Sequence, residues 1–139
     1  MTDVKAAIIA RMTGDIELML LLVGGVYGVA EITPGMDAPK PFDEFGRMLP
    51  SALVRREVST ATGPRGRFSR QFVVIFFYDT AGYDTITEAM DRTRTLLHEQ
   101  RIGNGAYEIQ HVDTVDDQYD DALSAYMHRA RFEVTRRGF

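Results

Sequence analysis

Residues 68–101 read Phe-Ser-Arg-Gln-Phe-Val-Val-Ile-Phe-Phe-Tyr-Asp-Thr-Ala-Gly-Tyr-Asp-Thr-Ile-Thr-Glu-Ala-Met-Asp-Arg-Thr-Arg-Thr-Leu-Leu-His-Glu-Gln-Arg. The first part, 67–79, predicts a central strand. Phe72, Val74, Phe76 and Tyr78 share one face, and Val73, Ile75 and Phe77 share the other. A strand with one wet face alternates, so both faces of this one must be covered, by another element or another subunit. Gly82-Tyr83-Asp84 then leads into a helix with Ile86, Ala89, Met90, Thr93, Leu96 and Leu97 on one stripe. Thr85 and Glu88 have capping-box spacing, with Asp84 as an alternative cap. Gly103-Asn104-Gly105 marks the expected helix end.

Working outward, 52–60 predicts a strand joined to the central one by a turn at 62–66. After the helix, 106–115 predicts a strand. The most regular strand is 123–136, with Tyr126, His128, Ala130, Phe132 and Val134 on one face and Met127, Arg129, Arg131, Glu133 and Thr135 on the other. Between these two, Asp116, Asp117, Asp120 and Asp121 read as an acidic hairpin loop. The fold class is therefore α+β, a mixed or antiparallel sheet in β-β-α-β-β order with one long amphipathic helix packed on it.

Ahead of that unit lies a helix over 3–13, capped by Asp3, with Val4, Ala7, Ile8 and Met12 on one face. Ala6, Ile9 and Ala10 widen the apolar face, which predicts deep burial or sharing with a neighbour. A short helix over 16–22 follows. Gly24-Gly25 breaks the chain, and 26–32 reads as a short edge strand. Residues 33–47 hold Pro34, Pro39, Pro41, Gly35, Asp37 and Gly46 and read as a long irregular loop, a feature commonly functional. Phe42 and Phe45 can pin it to the body or to a partner.

At 139 residues the chain is expected to form one domain, 1–139, able to bury a core without staples. Hydrophobic residues make up 45% and charged residues 26%, the balance of a soluble globular protein. A net charge of −4 and a pI near 5.3 argue against general attraction to nucleic acid and against sequence-specific DNA reading. The absence of cysteine excludes disulfides, thiolate ligands and a thiol nucleophile. The N-terminus lacks a signal-peptide pattern, and the apolar run 16–23 is too short for a bilayer span, so a soluble, non-secreted protein is expected.

No catalytic constellation emerges, and no cofactor or metal is expected. His98, His111 and His128 lack metal-site spacing; a site would need His111, His128 and an aspartate from paired strands. Asp113, Asp117 and Asp121 lack the glycine and glutamate of a calcium loop. Gly24-Gly25-x-x-Gly28 precedes an extended stretch rather than a helix, against a dinucleotide fingerprint. No serine sits in a Gly-x-Ser-x-Gly elbow. Arg55, Arg56, Arg65, Arg67 and Arg70 cluster on the first hairpin. They read either as a solvated hairpin or as a basic patch for DNA or an acidic partner. The acidic segment 113–121 of a neighbouring subunit suits that patch, in a heterologous, ring-building contact.

The layout resembles the tail terminator, or tail-completion, proteins of long-tailed bacteriophages. The features that carry it are Leu-Leu-Val-Gly-Gly-Val-Tyr-Gly at 21–28, Leu-Pro-Ser-Ala-Leu-Val-Arg-Arg-Glu at 49–57 and the strand ending Phe-Phe-Tyr-Asp at 76–79. With them go the Tyr83-Asp84 turn, the helix ending Thr-Leu-Leu-His at 95–98, and Ala-Arg-Phe-Glu-Val at 130–134. These patterns span nearly the whole chain but are loose. The resemblance implies a structural minor tail protein of the virion, assembled in the host cytoplasm. It would form a ring, commonly hexameric, at the head-proximal end of the tail tube. Its partners would be itself, the tail tube protein and a head-completion or connector protein. DNA would pass through the lumen without sequence-specific binding, and no membrane would be involved. The long 33–47 loop departs from the family pattern. Alternatives are another head–tail joining protein, or a small ligand-binding domain using Tyr107, His111 and His128. Interface residues expected on this reading are Arg55, Arg56, Arg65, Arg67, Arg70, Asp116, Asp117, Asp120, Phe42 and Phe45.

Overall fold

The computed structural model of the chain describes residues 4–28, 41–62, 68–103 and 107–137. Among the described residues nine elements follow in order: α1 (Val4–Thr13), α2 (Ile16–Leu21), β1 (Gly25–Tyr27), β2 (Ser51–Thr62), β3 (Phe68–Asp79), α3 (Asp84–Leu97), β4 (Gln100–Ile102), β5 (Tyr107–Asp120) and β6 (Ala125–Arg137). The six strands form one curled sheet in the order β1-β2-β3-β6-β5-β4. All pairs are antiparallel except β1 with β2. Two hairpins bracket α3, and their second strands, β3 and β6, meet at the centre. This is the α+β architecture expected from the sequence.

The double-sided burial of β3 has two different sources. Val73, Ile75 and Phe77 are fully buried in the main core with Val54, Ala130, Phe132, Val134 and Ile109. The three helices cover that face. Ile86, Ala89, Met90, Thr93 and Leu97 of α3 are buried there, and Leu96 packs partly against them. Each large apolar side chain removed from water contributes about 1.5–3 kcal/mol. On the opposite face a smaller cluster joins Met48, Leu53, Tyr78, Leu123 and Ala125, with Tyr27, Phe42, Phe76 and Met127 packed around it. Arginine guanidinium groups cover more of that face: that of Arg55 lies 5.9 Å from the Phe76 ring and that of Arg131 lies 5.1 Å from the Phe72 ring.

α1 touches both edge strands, β1 and β4, and so spans the mouth of the curled sheet. Lys5 Nζ donates to the Gly28 carbonyl at 2.6 Å, and Arg11 Nε donates to the Leu96 carbonyl at 3.3 Å. Val4, Ala7, Ile8 and Met12 are buried as the periodicity predicts. The widened face is not: Ala6 and Ala10 are exposed and Ile9 only half-buried. Asp3, the expected cap, lies outside the described residues.

Several boundaries differ from the sequence reading. α3 begins at Asp84 with Tyr83 in the capping position and no side-chain cap bond, so neither Asp84 nor Thr85 caps it. The Tyr83 carbonyl instead accepts from both the N–H and the hydroxyl of Thr87, each at 2.8 Å. α3 ends at Leu97, well before the glycines. Glu99 takes a left-handed φ of 58°, and Gln100–Ile102 pairs with Tyr107–Ile109 as β4. Strand pairing thus overrides the glycine stop signal. The acidic stretch is not a loop either: β5 runs to Asp120, and the turn falls over 121–124. Pairing with β6 holds it, and two bulges, between His111 and Asp113 and between Val115 and Gln118, absorb the mismatch. The edge strand expected over 26–32 is described as Gly25–Tyr27; residues 29–40 lie outside the described residues. Within the remainder of the long loop, residues 41–49 are ordered as a hairpin bridged at Phe42 and Met48. Gly46 supplies its left-handed corner at φ 77°.

Candidate functional site

The histidines do not converge on a reaction centre. Asp116, His128 and Thr87 do form a line: Asp116 Oδ1 lies 3.6 Å from His128 Nδ1, and His128 Nε2 lies 2.8 Å from Thr87 Oγ1. Yet Thr87 Oγ1 donates to the Tyr83 carbonyl, His128 Nδ1 accepts the Asp117 N–H at 3.2 Å, and the ring is 2% exposed beneath Tyr83. The Tyr83 hydroxyl in turn donates to the Gln118 carbonyl at 2.9 Å. These bonds clamp the start of α3 onto the β5 bulge.

His98 and His111 face each other with ring centroids 6.5 Å apart, and His98 Nδ1 accepts the His111 N–H at 2.9 Å. Burial, then nearby Arg94 and His98, hold the His111 pKa below its ordinary value. The cleft bounded by Met90, Asp91, Arg94, His111, Thr114 and Ala130 holds about 10 Å³, room for one water at most. Of the three residues of the ligand-pocket alternative, only His111 lines this cleft. Among the described residues, no group of three His, Asp or Glu is placed to hold a metal ion. Among them also, no helix is long and apolar enough to cross a membrane.

The candidate interface residues separate. Arg55 and Arg56 are both exposed but occupy opposite faces of β2, because neighbours on a strand alternate. Arg65 and Arg67 lie outside the described residues, as does the side chain of Arg70. Asp116 and Asp117 stand at the second bulge of β5, exposed, with Asp117 at a left-handed φ of 55°. Asp120 is half-buried, and its Oδ1 accepts the Leu123 N–H at 3.0 Å, closing the β5–β6 turn. Asp113 serves the subunit itself, paired to Arg131 at 2.7 Å.

The two phenylalanines of the 41–49 hairpin have different fates. Phe42 packs into the smaller cluster, while Phe45 is 72% exposed at the tip. The tip is pre-organised. Asp43 Oδ1 accepts the N–H groups of both Phe45 and Arg47 at 2.9 Å. Those bonds hold the Asp43 carboxyl below its ordinary pKa. Arg47 lies 5.3 Å over the Phe45 ring.

A second apolar feature escaped the sequence reading. Ile16 and Leu20 on α2 are 78% and 73% exposed, and Val23 in the following turn is 62% exposed. The i, i+4 spacing puts Ile16 and Leu20 on one side of α2, away from Leu18 and Leu22, which are buried. The signal was present: 16–23 is apolar almost all round, and a six-residue helix on a sheet buries only one side.

No protein-family model and no curated protein matches the chain. Among solved structures it is similar to a chain of the "Virion of native gene transfer agent (GTA) particle". The TM-score is 0.69 at 16% sequence identity, over 97% of this chain and 95% of that one. The two chains share a fold over nearly their whole lengths.

Proposed function

We propose that this chain is a structural virion protein, a tail terminator. It forms a ring of identical subunits, hexameric by family resemblance, at the head-proximal end of the tail tube. There it ends tube growth and presents a surface to the head-completion protein. DNA crosses its lumen without sequence-specific contacts. The observation that carries the reading is the full-length fold likeness to a virion chain. The surface agrees with it: apolar side chains stand exposed on elements that are otherwise well held, the condition of a subunit made to be covered by neighbours. Within this reading Arg65, Arg67 and Arg70 of one subunit meet Asp116 and Asp117 of the next, with Asp120 supporting the acidic turn. Gold-labelled antibody against the chain tests the position. Label at the head-proximal end of isolated tails supports it; label on tail-free heads moves the protein to the head-completion side.

A further inference from the structure

We infer that the Phe45 hairpin tip of one subunit docks on the exposed Ile16–Leu20 side of α2 in a second copy of this chain. This rests on the ring reading and names the contact that builds it. A closed ring needs two different patches, one on each side of the subunit, whereas a single self-complementary patch yields only a twofold dimer. The two exposed apolar features are different patches, carried on opposite faces of the sheet. The hairpin packs on the outer face of the sheet through Phe42 and Met48, in the cluster with Leu53 and Tyr78. α2 packs on the opposite face through Leu18 and Leu22, in the cluster with Val54 and Ile75.

Charge selects the partner. Arg47, with its side chain 67% exposed, rides over the Phe45 ring and pairs only loosely with Asp43, at 3.4 Å. Glu17, with its side chain 74% exposed, stands beside Ile16 and reaches Arg92 at 3.4 Å. Exposed pairs of this kind contribute little and exchange readily. Phe45 entering between Ile16 and Leu20 therefore carries Arg47 toward Glu17, an aromatic–arginine anchor of the kind enriched at interface centres. The tip loses little freedom on docking, because Asp43 already fixes its backbone.

The chain contains no cysteine, which makes directed cross-linking clean. Phe45→Cys and Leu20→Cys variants are mixed at high concentration under mild oxidation, and Phe45→Cys with Gln110→Cys serves as the control pair. The expected result is a covalent heterodimer from the first mixture, well above the control, and a ladder of oligomers from the Phe45→Cys/Leu20→Cys double variant. Phe45→Ser or Leu20→Ser, each folded by circular dichroism, weakens self-association roughly 30-fold, as loss of one anchor does. A Phe45→Cys homodimer as the main product, or no heterodimer above control, overturns the contact. If that happens while gold label still marks the head-proximal tail end, the contact alone falls. If the label is absent as well, the ring reading falls with it.

Discussion

Arg92 grips Asp15 across 77 positions of sequence, with Nε on Oδ2 at 2.9 Å and Nη2 on Oδ1 at 2.8 Å. The same carboxylate caps α2, accepting the Leu18 N–H at 2.9 Å. One side chain thus starts a helix and ties it to α3. The arginine hydrogen bonds, offset in part by burial, pull the Asp15 pKa from 3.8 to about 2.

That arrangement predicts a pH signature. The folded state holds the Asp15 charge more tightly than the unfolded chain does. Its stabilisation is therefore complete above about pH 4 and is lost as pH falls through about 2. Asp15→Asn keeps the cap but not the charge. Urea unfolding should show the gap between wild type and Asp15→Asn closing between pH 4 and pH 2. Asp15→Ala removes the cap too and lowers stability by about a further 1 kcal/mol at neutral pH.

The core makes a larger prediction. Phe132 is fully buried opposite Val73 and edge-on to His111 at 5.4 Å. Phe132→Ala leaves a cavity beneath α3 and should cost about 3–5 kcal/mol in chemical denaturation. Met127→Ala, on the half-buried outer face, should cost less.

The Asp116–His128–Thr87 line is structural, and it is testable as such. A fluorophosphonate probe should fail to label the native chain. Thr87→Ala and His128→Ala should lower the melting temperature, because each strips a bond from the clamp between α3 and β5. Labelling that disappears in Thr87→Ala would instead make Thr87 a nucleophile.

Much of this was legible in the sequence. The two faces of β3, the inward set of β6 and the buried stripe of α3 all follow from period-2 and period-3.6 patterns in long elements, where burial dominates. What failed was local. Gly103 and Gly105 are strong stop signals, yet Gln100–Ile102 gains more by pairing with β5 than by extending the helix. Asp116 to Asp120 reads as loop because aspartate disfavours strands, but hydrogen bonding to β6 and two bulges carry it through. The exposed side of α2 was hidden because an apolar run gives no period: Ile16 and Leu20 look as buried as Leu18 until the sheet shows which side it covers. Phe45 and Phe42 look alike in sequence, and only the turn at 43–46, which leaves Phe42 bridged to Met48 and carries Phe45 to the tip, tells them apart.

The basic hairpin gives the remaining assembly prediction. If the arginine–aspartate contact holds, Arg67→Glu with Arg70→Glu should weaken self-association in sedimentation velocity while the monomer keeps its circular dichroism and melting temperature. Unchanged assembly would remove the arginine–aspartate contact and leave the Phe45–Leu20 contact as the candidate seam.

The most direct test of the proposed tail-terminator role is the length of tails in particles made without this chain, measured by electron microscopy. Tails of uncontrolled length beside separate, filled heads are the predicted result. Tails of normal length joined to heads would contradict the account.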